Sequence, residues 1–294
     1  MKSLVAIVSF AAVLLLAAAC GEGRQSATMP GADAGEDLLF QDQQRFSVGK
    51  TPKSVAVADL NGDGDPDIVT ANTSSNDISA LLGNGDGSFQ EQQRYPSGDG
   101  PISVAVADLN GDGAPDIVTA NAGSNDISVL VGNGDGSFQP QQRFAVGDLP
   151  KSVAVADLNG DGDPDIVTAN GGSVPDSNDI SVLVGNGDGS FQSQQRFPVG
   201  DGPNSVAVAD LNGDGDADIV TANAGSVPDS DGVSVLLGNG DGSFEAPLLS
   251  VAGDGPISVV VADLNGVGDP DIVTVNADSS DVSVLLHRLS SSPR

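Results

Sequence analysis

From residue 38 onward the chain alternates short β-branched apolar runs with clusters of Gly, Asn and Asp, and no stretch has helical spacing. The first unit predicts four strands. Ser54–Ala58 is small and apolar on both faces, as a strand covered on both sides would be. Asp67–Ala71 and Asp77–Leu82 follow as the second and third strands. Gly83–Gly87 then contains both Asn-Gly and Asp-Gly, a strong hairpin signal, and Phe89–Tyr95 reads as the fourth strand.

This unit recurs. The string VADLNG begins at Val57, Val106, Val155, Val208 and Val261, at spacings of 49, 49, 53 and 53 residues. The longer spacings come from a VPDS insertion at Val174–Ser177 and Val227–Ser230, which marks a surface loop. Four strands in about 50 residues, repeated, are the pattern of a β-propeller blade. The expected fold is all-β: a five-bladed β-propeller of four-stranded blades, with repeats at about 50–98, 99–147, 148–200, 201–253 and 254–294. The last repeat stops at Ser283–His287, after its third strand, and Phe40–Phe46 matches the fourth strands at Phe89–Tyr95, Phe138–Phe144 and Phe191–Phe197. Residues 38–49 are therefore expected to complete the last blade and close the ring without a free sheet edge. A linear solenoid would need capping repeats, and none is recognisable.

Composition limits the chemistry. With 41 acidic and 11 basic residues the formal net charge is -30, which argues against nucleic acid as a partner. There is one Cys (Cys20), one His (His287), one Tyr (Tyr95) and no Trp, so an intramolecular disulfide is impossible and most His- or Cys-based catalysis is excluded. No nucleophile–base pair can be assembled, and no catalytic residue is assigned. His287 reads as structural, in the final strand. Arg45, Arg94, Arg143 and Arg196 recur at one blade position and read as exposed strand cations balancing local charge.

Met1-Lys2-Ser3 precedes an apolar run from Leu4 to Ala19, which reads as a secretory signal over residues 1–19 and is short for a membrane span. Ala17-Ala18-Ala19-Cys20 resembles the lipobox of bacterial lipoproteins, which implies acylation of Cys20. Residues 20–37 then form the lipidated Cys and a flexible tether with a reach of roughly 20–25 Å. The expected location is an exported lipoprotein on the outer membrane or cell surface, or else on the periplasmic face or secreted. The lipid is its membrane contact.

The loop after each first strand carries D-x-N-x-D-G-x-x-D. The candidate metal ligands are Asp59, Asn61, Asp63, Asp65 and Asp67 in the first unit; Asp108, Asn110, Asp112, Ala114 (through its carbonyl) and Asp116 in the second; Asp157, Asn159, Asp161, Asp163 and Asp165 in the third; Asp210, Asn212, Asp214, Asp216 and Asp218 in the fourth; and Asp263, Asn265, Asp269 and Asp271 in the fifth. Oxygen donors at alternate positions suit Ca²⁺, which takes six to eight of them, and a Gly at the sixth position permits the sharp turn. Three or four carboxylates in nine residues would otherwise repel each other. The loop is not an EF-hand: the twelfth position holds Thr70 where a bidentate Glu is required, and the flanks are strands. Val267 replaces the fifth-position carboxylate, so four sites and a weaker fifth are expected. The GNGDGSF segments read instead as metal-free Asx turns.

DLNGDGDPDIV, SVLVGNGDGSF and the period of about 50 residues resemble the FG-GAP/VCBS repeat family, whose calcium-binding propellers include the integrin α-subunit head; the likeness covers residues 38–294. The resemblance implies Ca²⁺ at the loops just named. The expected function is a non-enzymatic, calcium-stabilised, cell-surface binding or adhesion protein, monomeric, with an extracellular protein or glycan as partner. The alternatives are the propeller scaffold of a secreted hydrolase or lyase, or a glycan-binding lectin, which the scarcity of Tyr and the absence of Trp disfavour.

Overall fold

The computed structural model describes residues 42–172, 178–225 and 231–288. The signal segment, Cys20, the tether, residues 38–41 and both VPDS insertions lie outside the described residues. Those described contain strands and turns but no helix, hence none long and apolar enough to cross a membrane.

Five antiparallel sheets follow one another along the chain. Blade one holds β1 (Pro52–Ala58), β2 (Asp67–Asn72), β3 (Asp77–Leu81) and β4 (Gln93–Pro96), and blade two holds β5 (Pro101–Ala107), β6 (Asp116–Asn121), β7 (Asp126–Leu130) and β8 (Gln142–Ala145). Blade three holds β9 (Pro150–Ala156), β10 (Asp165–Gly171), β11 (Asn178–Leu183) and β12 (Gln195–Pro198). Blade four holds β13 (Pro203–Ala209), β14 (Asp218–Asn223), β15 (Gly232–Leu236) and β16 (Leu248–Val251). The fifth sheet has three strands, β17 (Pro256–Ala262), β18 (Asp271–Asn276) and β19 (Asp281–Leu285).

The first three strands of each unit fall within two residues of their expected bounds. The fourth is shorter. Phe89, expected to open it, makes only an isolated bridge to Gly83, and pairing resumes at Gln93. The cause is packing: the ring of Phe138, the counterpart of Phe89 in blade two, lies edge-on 5.2 Å from Tyr95 of blade one. The same pair recurs as Phe144–Phe191 and Phe197–Phe244. Each aromatic is drawn onto the preceding blade instead of staying in its own ladder.

The core lies between blades. Leu60, Ile78 and Ala80 pack with Ile117 and Leu130, and equivalent clusters fill the next three interfaces. A hydrogen bond also crosses each interface: Val104, Val153, Val206 and Val259 donate their backbone N–H to Ser54, Ser103, Ser152 and Ser205.

The two ends of the series are uncovered. Val55 is 42% exposed, whereas its counterparts Val104, Val153, Val206 and Val259 are 9% or less. At the other end Leu264 is 51% and Val282 61% exposed, where Leu60 and Ile78 are at 1% and 0%. Residues 42–48 form no strand, and β19 has one strand neighbour. Phe46 nevertheless sits edge-on to Phe89 at 5.0 Å, and Gly49 donates its N–H to Ser79 as Gly98 does to Ser128. The N-terminal segment thus meets blade one as each fourth strand meets the blade after it.

Candidate functional site

Each acidic loop joins the end of a first strand to the start of a second, so all five emerge from the same end of their blades. Within the first loop, Asp59 takes the N–H groups of Gly62 and Gly64 at 2.8 and 2.9 Å on its two oxygens. Asn61 Oδ1 accepts from the Asp63 N–H and Asp63 Oδ1 from the Asp65 N–H, while Asn61 Nδ2 donates to Asp63 Oδ2 at 2.8 Å. The pattern repeats at Asp108–Ala114, Asp157–Asp163 and Asp210–Asp216. Gly64 has φ of +90°, and a Cβ there would meet nothing within 4 Å. The left-handed backbone, not space, therefore requires glycine.

The ninth position is different. Asp67 is fully buried and spans two elements: Oδ2 accepts the Leu60 N–H at 2.7 Å and Oδ1 the Gly83 N–H at 2.6 Å. Asp116, Asp165 and Asp218 do the same, and Asp271 takes the N–H groups of Leu264 and His287. Each pins its acidic loop to the chain that follows the third strand. Burial pushes Asp116, Asp165 and Asp218 above the ordinary carboxylate range, Asp165 to about 6. The two backbone donors oppose that shift, and the charges at positions five and one, Asp161 and Asp157 for Asp165, reinforce it. Positions one, five and nine therefore sense one another's charge. In the arrangement adopted, no three acidic or imidazole side chains among the described residues form a ready-made ligand cluster.

The fifth loop keeps the turn without the middle carboxylate. Asp263 accepts from Gly266, Val267 and Gly268, and Asn265 Oδ1 accepts from the Val267 N–H. The Gly268 N–H leads the donors that hold Asp263 below its ordinary range. His287 lies just beyond β19, two residues past the strand in which it was expected, with its Nδ1 3.8 Å from Asp269. The GNGDGSF segments are Asx turns as expected: Asp86 Oδ1 accepts both the Ser88 N–H and its hydroxyl, which hold it below its ordinary range.

A second set of residues escaped the sequence reading. In blade one Asn72 Nδ2 donates to Asp77 Oδ1 and to Ser79 Oγ, the Ser79 hydroxyl donates to Gln92 Oε1, and Arg94 pairs with Asp77. Blades two and three repeat it through Asp126–Arg143 and Asp179–Arg196. These Arg side chains are 43–49% exposed, as a charge-balancing strand cation should be, and they face carboxylates only 8–11% exposed. Recurrence of Asn and Asp five residues apart, at Asn72–Asp77 and Asn121–Asp126, was the available signal.

The FG-GAP-like repeat pattern matches at residues 59–119, 108–168 and 170–221, more than half of the chain. The chain belongs to the FG-GAP-like repeat family. These matches begin on or overlap the acidic loops, and they leave the fifth loop unmatched. No curated protein matches. Among solved structures, a candidate 6-phosphogluconolactonase from Bacteroides uniformis is 16% identical with a TM-score of 0.58, covering 80% of this chain and 66% of that one. BBS1N in complex with ARL6DN is 15% identical with a TM-score of 0.53, covering 81% and 68%. Both likenesses bear on the fold alone. A lectin from Agrocybe aegerita that recognises non-reducing terminal N-acetylglucosamine is 24% identical with a TM-score of 0.48, covering 76% of this chain, which spans 60% of the lectin.

Proposed function

We propose that this FG-GAP-like protein is a non-enzymatic, calcium-stabilised propeller, exported and held to a membrane through Cys20, that serves as a binding or adhesion platform. The carrying observation is the fivefold repetition of an acidic loop at one end of the blades, with neighbouring loop carboxylates helping to raise the proton affinity of Asp116, Asp165 and Asp218 in the second to fourth loops. The donor set fits a hard cation. Asp, Asn and Asp at positions one, three and five would supply side-chain oxygens, position seven a backbone carbonyl and position nine a second carboxylate. A bound cation would replace the Asn61–Asp63 side-chain bond and offset the mutual repulsion. Ca²⁺ holds the fold in this reading and takes part in no chemical step.

The proposal includes closure of the ring by residues 38–49. The support is chemical. Asp281 stands where Asp77, Asp126 and Asp179 stand, yet among the described residues its own unit has no fourth strand to supply an Arg. Aligning Phe40–Phe46 with Phe89–Tyr95 puts Arg45 at the Arg94 position and Gln43 at the Gln92 position. The N-terminal strand thus carries the two side chains that Asp281 and Ser283 lack.

Titration calorimetry with Ca²⁺, paired with melting in EGTA, tests the reading. Extracellular Ca²⁺ modules have dissociation constants of about 10⁻⁴–10⁻³ M, so about 2 mM Ca²⁺ adds up to roughly 1.8 kcal/mol per site. A large fall in melting temperature on chelation is expected. Identical melting curves in Ca²⁺ and EGTA would rule calcium out.

A further inference from the structure

Blade four departs from its neighbours at one corner. Gly232 replaces the buried Asp, Leu249 replaces the Arg and Pro247 replaces the Gln. Their partners remain. Asn223, 1% exposed, still donates to Ser234 Oγ at 2.8 Å, but its second N–H, which in the other blades goes to Asp77, Asp126, Asp179 or Asp281, has no acceptor among the described residues. Ser234, fully buried, accepts from Asn223 and from the Gly200 N–H; its own hydroxyl hydrogen has lost the amide oxygen that takes it in blades one to three. A cavity of about 370 Å³ opens here, lined by Val199, Asp201, Asn223, Asp231, Leu249 and Val251.

The same corner is a sheet edge. β16 is the outermost strand of blade four, and its residues Leu248, Leu249 and Val251 are 56%, 69% and 84% exposed. The corresponding edges β4, β8 and β12 carry Gln-Arg-aromatic and end in Pro or Ala. Charged side chains and Pro discourage pairing at an edge, and β16 has neither. Antiparallel register pairs Asn223 with Gly232 and Gly232 with Val251, so the three share one face, and a residue added opposite Val251 would face the cavity.

From this we infer that blade four is a peptide-docking edge: an extended segment of a partner protein adds as a fifth strand beside β16. Its aliphatic side chains lie on Leu249 and Val251, and a neutral oxygen, a backbone or side-chain carbonyl, takes the free hydrogens of Asn223 and Ser234. Main-chain bonds supply affinity and the pocket supplies selection. Asp201 and Asp231 at the mouth, on a protein of net charge -30, reject an anionic acceptor and favour Lys or Arg flanking the apolar residues.

The inference rests on the binding-platform reading and not on calcium at the loops. A phage-displayed library of random twelve-residue peptides, selected against the full chain in Ca²⁺, is the test. Enriched peptides should alternate aliphatic residues between basic flanks and bind at least tenfold more weakly to Leu249→Arg and to Val251→Lys. Both positions are exposed, so neither variant should change the melting temperature. Gly232→Asp fills the cavity, but a Cβ there would fall 2.3 Å from the Ser250 carbonyl oxygen, so it is read only beside the two edge variants. No enrichment, enriched peptides that bind both variants unchanged, or self-association abolished by the variants would overturn the inference. So would binding on a neutral glycan array that is lost in Leu249→Arg. Any of these results alongside a calcium-dependent melting curve would remove the docking edge and leave the calcium reading standing.

Discussion

Asp165→Ala separates the hydrogen-bonding role seen at the ninth loop position from the ligand role proposed for it. Without metal, Asp165 is a pin: it takes the Leu158 and Gly185 N–H groups, each at 2.8 Å, in a fully buried setting. Alanine leaves both donors unsatisfied. At roughly 1–3 kcal/mol for each buried orphan, the loss is about 2–6 kcal/mol. For a domain of this size each kcal/mol moves the midpoint by about 2–4 °C, so a mid-range loss of about 4 kcal/mol lowers it by roughly 8–16 °C. That drop should appear in EGTA.

With Ca²⁺ at about 2 mM a further loss of up to roughly 1.8 kcal/mol is expected on the calcium proposal, in which the variant gives up a ligand as well as a pin. Asp165→Asn sharpens the comparison. It keeps one acceptor and removes the charge that burial disfavours, so in EGTA it should lose less than Ala, while in Ca²⁺ it should lose most of the cation's contribution. Scanning calorimetry under both conditions is the assay, since a chain with one Tyr and no Trp gives little fluorescence. Equal losses in Ca²⁺ and EGTA would make Asp165 a pin only. No loss in EGTA would refute the hydrogen-bond accounting itself.

Closure is open to a double-mutant cycle: Arg45→Ala and Asp281→Ala should couple with the sign and at least half the size of the Arg94→Ala/Asp77→Ala cycle, and simple additivity at 45 and 281 would count against the ring. Val282→Ala gives a second measure. At 61% exposure it should cost well under 0.5 kcal/mol, but with an N-terminal strand laid over it the loss should approach about 1.6 kcal/mol for two buried methylene equivalents. Val267→Asp supplies the missing fifth-position carboxylate, so calorimetry should gain a site and the melting temperature should rise in Ca²⁺ only; a rise of the same size in EGTA would contradict this. Ile127→Ala, wholly buried between blades, should cost about 2–5 kcal/mol in either condition, and a smaller loss would mean the interface collapses around it.

The repeat and its loops were legible because each rests on local chemistry. Asn-Gly and Asp-Gly fix their turns from their own backbone preferences, and β-branched runs fix strands. Phe89 was misjudged because its fate is set from outside its strand, by an aromatic of the neighbouring chain segment. Asp67 reads from the sequence as a ligand; its role as a pin depends on the Gly83 N–H, sixteen residues away, which spacing does not reveal. The Asn72–Asp77–Ser79–Gln92 network was hidden for a similar reason: its members are common strand and turn residues, and only the register of β2, β3 and β4 puts them on one face.

The departures among blades follow from one electrostatic constraint. A carboxylate only 8–11% exposed, like Asp77, Asp126 and Asp179, is tolerable while a guanidinium faces it; alone, it would be a buried charge without compensation. Blade four loses Asp and Arg together, and the result is a cavity with spare donors on Asn223 and Ser234. Blade five keeps Asp281, which has no Arg partner among the described residues; there Asp281 is exposed and held below its ordinary range by Asn276 and Ser279. Burying β19 beneath a fourth strand would remove that exposure, and a cation on the covering strand would offset the cost. The fourth-strand alignment assigns Arg45 to that place. In the proposed ring the same rule that permits the blade-four corner to be empty would have the blade-five corner filled from the other end of the chain, and reversing Arg45 to Asp should open the ring while leaving the blade-four corner unchanged.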